Sequence, residues 1–360
     1  MRVALVCPYD LDAPGGVQVH VDDLAAQLIA RGHVVEIFGP GRGGLGRPVR
    51  FPYRGTVAPI APWPSGVGLA RRAFERFSPE LVHVHEPFTP SASMWAVLAA
   101  HVPVVATFHA WLDRARLYEA AGPALRAVAR RLTASIAVSQ AAAAFVERAV
   151  PGLAPVVIAN GVSVARFAEA PRLDWPPGPR IAWAHRLDPQ KGFPVLVEAF
   201  RMLAHERPDL RLSVGGDGAD RAAVEGLPTA LRARIAMFGR VEHDEVPSLL
   251  AGADVAVAAA TGQESFGIAL VEAMAAGVPV VATDIEGYGE VATDGVDALL
   301  VAPGDPAALA AAIARVLDDG DLARRLRAAG RDTAASYDWS DVTDRIEERY
   351  RWALGQASLR

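Results

Sequence analysis

Short apolar runs alternate with stretches of amphipathic helical period along this chain. Runs at 2–7, 34–38, 81–85, 104–108, 135–138 and 156–158 are nearly continuous in apolar character, as strands buried on both faces are. Helical periods fall between them at 17–31, 67–77, 93–100, 112–131 and 140–149. The segment 171–179, with Trp175-Pro176-Pro177-Gly178-Pro179, reads as a linker. The alternation then restarts, with strands at 180–184, 211–214, 236–238, 255–258, 278–282 and 298–301. Helices fit at 194–205, 220–227, 245–251, 267–276 and 306–317, the last with Asp305 as N-cap and Pro306 at its first position. Two further helices, 322–336 and 340–354, close the chain. The pattern predicts an α/β protein of two Rossmann-like domains with parallel sheets, 1–170 and 171–339, facing a central cleft. Open parallel sheets bind ligands at the carboxyl ends of their strands, so that cleft is where a site is expected.

Composition narrows the function. Of 360 residues, 51% are hydrophobic and 21% charged, enough to build a large core. A net charge of −5 argues against general nucleic-acid binding. A single cysteine, Cys7, excludes an internal disulfide and a multi-cysteine metal site, and fits a reducing cytosol. The run Val3–Cys7 meets Pro8 and Asp10 too early for a signal-peptide core, and the apolar stretch 255–283 is broken by Gln263, Glu264 and Glu272. A soluble protein is expected. Of 36 basic residues only Lys191 is lysine, an arginine bias of the kind a GC-rich genome gives.

Several segments suggest chemistry. Gly41-Arg42-Gly43-Gly44-Leu45-Gly46 matches the dinucleotide fingerprint after a strand, but the proline-containing 47–52 cannot open the helix the motif requires, which favours a loop. Asp10-Leu11-Asp12 has the form of a metal-binding carboxylate pair, a triplet also common by chance. Asp12-Ala13-Pro14-Gly15-Gly16-Val17 joins a strand to a helix and offers bare backbone N–H groups near a helix start; a tight turn needs the same residues. Arg186 and Lys191 lie in the loop after strand 180–184, where a planar guanidinium fork and a compact ammonium suit a pyrophosphate. Glu264 and Glu272 stand eight apart, an E-x7-E pattern, around a helix whose start carries Phe266, Gly267 and Ile268. One carboxylate can reach a sugar and the other a ribose while the helix start receives phosphate.

With Glu264-Ser265-Phe266-Gly267, Arg186 with Lys191, Asn160-Gly161-Val162 and Tyr337-Asp338-Trp339-Ser340, the whole chain resembles the retaining GT-B glycosyltransferases. Within them it is most similar to the actinobacterial phosphatidyl-myo-inositol mannosyltransferases, through Cys7-Pro8-Tyr9, Pro14-Gly15-Gly16-Val17-Gln18, Pro52-Tyr53, His83-Val84-His85-Glu86-Pro87 and Ala106-Thr107-Phe108-His109. The resemblance implies a donor site in which Gly16 faces the β-phosphate and Arg186 and Lys191 neutralise the pyrophosphate. Glu264 would contact the transferred sugar, Glu272 the ribose, the backbone near Val241 the base, and His109 the sugar near its anomeric carbon. Tyr9 and Gln18 would line the acceptor polyol pocket, with Tyr53, Arg54 and Thr56 at the acceptor phosphate. It further implies GDP-mannose as donor, no cofactor and no metal, a lipid acceptor at the cytoplasmic face of the plasma membrane, a monomer, and a last helix (340–360) that returns to the first domain.

Two departures touch the acceptor. Pro59 stands where the family carries an arginine, leaving Arg54 as the nearby cation, and the helix 66–77 is less basic, with Arg71, Arg72 and Arg76 against Glu75. On that helix Val67, Ala70, Phe74 and Phe77 form an apolar stripe, which suits a membrane surface or a covering helix alike. A soluble acceptor therefore stays open. A nucleotide-sugar epimerase on the same architecture is the enzymatic rival, and the E-x7-E pattern speaks against it.

Overall fold

Valine-rich runs fold into two parallel sheets, each covered by helices on both faces, which is why their strands need no polar side. The computed structural model describes residues 1–13, 15–53, 56–111, 121–262 and 264–357, with residues 52, 53, 56 and 57 described by backbone alone. The N-terminal unit carries β1 (Arg2–Val6), β2 (Val34–Phe38), a hairpin of β3 (Val49–Tyr53) and β4 (Thr56–Ile60), then β5 (Leu81–His85), β6 (Val104–Phe108), β7 (Ala134–Ala137) and β8 (Val156–Val157). Its parallel sheet runs β2-β1-β5-β6-β7-β8. The C-terminal unit carries β9 (Arg180–Ala184), β10 (Arg211–Gly215), β11 (Ile235–Gly239), β12 (Val255–Ala258), β13 (Val280–Thr283) and β14 (Ala298–Val301), in the order β11-β10-β9-β12-β13-β14. Each is a doubly wound Rossmann-like sheet, the fold the alternation predicted.

The first unit is Met1–Gly161 together with the C-terminal helix Trp339–Ala357; the second is Val162–Asp338. The divisions fall at 161/162 and 338/339, where the sequence placed them at 170/171 and 339/340. Local packing explains the shift. Gly161 lies so close to Trp339 that a Cβ there would sit 2.3 Å from the indole, whereas Val162 N–H donates to the Tyr337 carbonyl at 2.8 Å. The segment 171–179 belongs wholly to the second unit. There Trp175 stacks on the Arg180 guanidinium at 5.1 Å and against Phe238 at 5.9 Å, so it is packed onto a domain and does not link two.

Both cores follow from the strand residues. In the second, Trp183, Phe193 and Phe200 are fully buried, and each such phenylalanine contributes roughly 1.5–3 kcal/mol. Asp305 caps helix Pro306–Asp318 as predicted, its carboxylate accepting the N–H groups of Ala307 and Ala308 at 2.9 Å. The β3–β4 hairpin was not anticipated, because Pro52 and Pro59 interrupt the strand pattern; as a separate antiparallel pair it tolerates them. Of the predicted helix 112–131, Gly122–Ala129 is observed and 112–120 lies outside the described residues.

Candidate active site

In the C-terminal unit, the loops at the carboxyl ends of the strands are stitched to one another. Leu187 N–H donates to the Asp217 carbonyl at 3.0 Å, Gly216 N–H to Gly239 at 2.7 Å, and Thr261 N–H to Gln190 at 3.0 Å. The loop after β9 ends at Gly192, whose φ of +71° and close approach to the Ala259 carbonyl, 2.0 Å from a would-be Cβ, admit only glycine. This seam brings Lys191 to Glu264, 73 positions apart: Nζ lies 2.5 Å from Oε1, with the two side chains 18% and 19% exposed. Arg186, on the same loop as Lys191, is 62% exposed, its guanidinium 3.1 Å from Asp188 Oδ2. His185, half-buried at the start of that loop, is pushed down to about 3 by desolvation and by the Lys191 charge, so its ring is neutral.

Glu264 is held from its other side. Gly287 lets its backbone approach the Glu264 carbonyl, and Gly267 (φ +84°) rests on the Tyr288 ring. Tyr288 is buried, and burial together with Glu264 holds its phenol well above the usual range. Gly267 then starts the helix Ile268–Ala275, with Ile268 partly exposed at its first turn and Phe266 buried against Tyr337 at 5.4 Å. Glu272 lies one turn in and is half-buried. Two cations, a carboxylate and the unpaired N–H groups of a helix start thus gather at one end of the sheet. Val241 packs against Gly215 at the same edge.

In the N-terminal unit, the loop after β1 leads into helix Gly16–Ala30. A Cβ on Gly16 would meet nothing within 4 Å, an open cradle of backbone at a helix start. Gln18 is buried, and its Nε2 donates to the carbonyls of Asp10 (3.2 Å) and Ala13 (3.1 Å), bracing that loop. Asp12 accepts the Arg42 N–H at 3.1 Å and faces the Arg42 side chain at 3.8 Å, while Asp10 accepts the Asp12 N–H at 3.2 Å. The Gly41 loop and the Asp10-Leu11-Asp12 triplet therefore engage each other. Gly41–Gly43 is a turn of 3-10 helix followed by strand β3, so the fingerprint's helix is absent.

At the ends of β5 and β6 stands a histidine cluster that motif spacing did not reveal. His85 Nδ1 and His109 Nε2 are 2.9 Å apart. His20, from the first helix, crosses His109 edge-on at 4.8 Å between ring centroids and lies 5.1 Å from Trp339. His83 bonds Tyr350 OH through Nδ1 and Thr107 Oγ1 through Nε2, each at 2.7 Å. Burial pushes His20 down to about 4 and His83 to about 3, and holds His85 and His109 well below the usual range. The rings are neutral at physiological pH. His20, His85 and His109 each offer a nitrogen within 4.8 Å of the other two, a set that would suit a borderline divalent ion; the His85–His109 hydrogen bond already occupies one nitrogen of each. Glu86 follows with φ +50°, an uncommon conformation for a non-glycine residue. Its buried carboxylate accepts the backbone N–H groups of His109 and of Ala110 (2.7 Å), fixing the turn from which His109 projects.

The acceptor residues are less fully placed. Tyr9 is half-buried and its backbone bridges Ile60. Tyr53 and Thr56 pair across the hairpin, with side chains outside the described residues, and Arg54 lies outside them altogether. Arg50, exposed, stands directly opposite Pro59 on that hairpin. On helix Gly66–Phe77 the apolar stripe is spent on the core: Ala70, Phe74 and Phe77 are buried, and Phe74 and Phe77 meet Phe38 at 5.7 and 5.9 Å. Its open face carries Arg71, Arg72, Glu75 and Arg76, and Phe51 and Trp63 are exposed aromatics earlier in the chain. Among the described residues, no helix is long and apolar enough to cross a membrane.

Comparison with known proteins agrees with this architecture. Residues 14–166 match the family model Glycosyltransferase Family 4, and residues 171–333 match Glycosyl transferases group 1. The phosphatidyl-myo-inositol mannosyltransferase of Mycobacterium tuberculosis is 37% identical, with 99% of this chain and 98% of that protein covered. The protein of the same name from Propionibacterium freudenreichii is 36% identical, covering 97% and 94%. Among solved structures, a sucrose-phosphate synthase from Thermosynechococcus elongatus superposes with a TM-score of 0.78 at 22% identity over 99% of both chains, a likeness of fold.

Proposed function

We propose, for a chain that belongs to the family 4 glycosyltransferases, that it moves mannose from GDP-mannose to the inositol of phosphatidylinositol, with retention of anomeric configuration and without a metal ion or cofactor. The observation that carries the reading is the Lys191–Glu264 pair near a helix start, with Arg186 on the same loop as Lys191. In the free protein the ammonium and carboxylate neutralise each other. A bound donor separates their tasks: Lys191 and Arg186 take the pyrophosphate, the start of helix Ile268–Ala275 takes a phosphate oxygen, and Glu264 turns to the sugar hydroxyls. Glu272 holds the ribose and the backbone near Val241 the base. On the N-terminal unit, Gly16 offers its N–H to the β-phosphate and His109 hydrogen-bonds the sugar.

Retention proceeds by front-face attack. The bond from the anomeric carbon to the phosphate oxygen breaks, the acceptor oxygen bonds to that carbon on the same face, and its proton passes to the departing phosphate. The cations and helix dipole stabilise the charge that develops there, the task a divalent ion performs in other transferases. Arg50, across the hairpin from Pro59, supplies the positive charge that Pro59 lacks for an acceptor phosphate; directly opposed residues share a face at about 5 Å. Tyr9, Tyr53 and Thr56 complete that acceptor region. With the arginine-bearing face of helix Gly66–Phe77, this favours work at an anionic lipid surface on the cytoplasmic side by a monomer. A soluble polyol acceptor is the second reading, favoured by the uncharged Pro59.

The test is transfer from GDP-mannose with phosphatidylinositol vesicles or soluble inositol phosphates, in the presence of EDTA. Full chelator sensitivity refutes the metal-free reading, and near-normal rates in both Glu264→Ala and Arg186→Ala refute the site.

A further inference from the structure

His85 points a nitrogen at His109, and the two rings share a single hydrogen bond between His85 Nδ1 and His109 Nε2 at 2.9 Å. Each neutral imidazole carries one proton, so two arrangements are possible. If His109 donated from Nε2, His85 would have to carry its own proton on Nε2. That atom is buried and has no hydrogen-bond partner among the described residues. A buried N–H without an acceptor is the costlier arrangement, a bare lone pair the cheaper. His85 therefore donates from Nδ1, His109 accepts at Nε2, and the His109 proton sits on Nδ1. The surroundings agree. Asn160 lies near the His109 ring, but its buried Oδ1 takes no hydrogen bond among the described residues, so it does not hold the His109 proton away from a ligand. His83 is satisfied at both nitrogens by Tyr350 and Thr107 and makes no claim on His85.

We propose that His85 is a positioning residue that locks His109 in the tautomer with its proton on Nδ1, so that His109 presents a hydrogen-bond donor to an oxygen of the transferred sugar. The consequence for transfer rests on the role of His109 given above; the tautomer does not. His85 never touches substrate. It acts by removing the alternative in which His109 would offer that oxygen a lone pair.

The tautomer is read directly by two-bond 1H–15N spectra of the protein labelled at histidine, with the His109 signals identified by their loss in His109→Gln. The expected pattern is a protonated Nδ1 and a bare Nε2. His85→Leu should convert it to a mixture and lower kcat roughly tenfold, the loss of one hydrogen bond, with the donor KM little changed. His85→Asn places an amide N–H where Nδ1–H stood and should restore both. A protonated His109 Nε2 in the unsubstituted protein overturns the proposal, as does a His85→Leu protein with unchanged tautomer and kcat. Should His85→Leu fail to fold, the unsubstituted spectrum and His85→Asn still decide. Normal transfer by His109→Ala would instead remove the role of His109 while leaving the tautomer result standing.

Discussion

Replacing the chain's single lysine by arginine keeps its charge and changes only its shape, which makes Lys191→Arg an informative perturbation. Lys191 Nζ sits 2.5 Å from Glu264 Oε1 with both side chains about four-fifths buried, and the backbone behind it cannot retreat, since Gly192 is pressed on the Ala259 carbonyl. A planar guanidinium must enter space shaped for a compact ammonium, on a loop that already supplies the guanidinium of Arg186. Overpacking of this kind costs about 1–3 kcal/mol. Because the Arg–Glu attraction is kept, the cost should fall on donor geometry, lowering kcat/KM for the donor by about five- to 150-fold. Lys191→Met is the contrast. It leaves the Glu264 carboxylate unpaired, a loss of up to about 3 kcal/mol for a pair with some solvent access, and should lower Tm by about 2–4 °C per kcal/mol for a domain of this size. Steady-state kinetics with thermal unfolding on both variants is the assay. Unchanged donor kinetics in Lys191→Arg would show that this position admits either cation and that donor binding does not depend on a compact ammonium.

Other positions give sharp expectations. Gly16→Ala adds a Cβ that meets no protein atom within 4 Å at a helix start, so thermal unfolding should show stability unchanged or raised by up to about 1 kcal/mol, while transfer falls; equal losses of both would show that the space belongs to the fold. The buried histidines make stability depend on pH with a definite sign. His20 and His83 titrate at about 4 and about 3 in the folded state against 6.5 unfolded, so the unfolded chain takes up protons first as pH falls. Stability is full above 6.5 and drains away toward 4, by about 1.4 kcal/mol per pH unit for each such ring; a Tm independent of pH between 7.5 and 5 would contradict this. Cys7 is fully buried and its thiol is pushed up to about 12, so native protein should resist DTNB and titrate one thiol only in denaturant. Rapid labelling of the native protein would count against that core placement.

The sheets were legible because strands buried on both faces must be apolar throughout, as in Leu81–His85 and Val255–Ala258, and because capping leaves a mark such as Asp305-Pro306. The hairpin was not, since Pro52 and Pro59 are breakers in a sequence pattern yet stand in an isolated two-stranded ribbon. In the site, Arg186, Lys191 and Glu264 could be picked out by their places in loops that follow apolar runs. That Lys191 and Glu264 grip each other could not, because the contact depends on a seam between two loops set by Gly192 and Gly287. The stripe on helix 66–77 was ambiguous for a similar reason: amphipathic period states that one face is apolar, and only packing against Phe38 shows what covers it. The histidine cluster draws on three separate elements, and the alternation His83-Val84-His85 at a strand end was its one local signal. Likewise the glycines Gly216 and Gly218, crowded after β10, mark where that loop abuts the one carrying Arg186.

The cations and carboxylate at the end of the second sheet, with Gly16 and His109, are proposed to effect transfer of mannose to a lipid-borne inositol with retention. That transfer is tested most directly by incubating the purified protein with GDP-mannose, phosphatidylinositol vesicles and EDTA, and determining the anomeric configuration of the lipid product. The expected product is α-linked mannosyl-phosphatidylinositol, formed at a rate the chelator does not change. A β-linked product, a donor merely hydrolysed or isomerised, or a reaction abolished by EDTA would contradict the proposal.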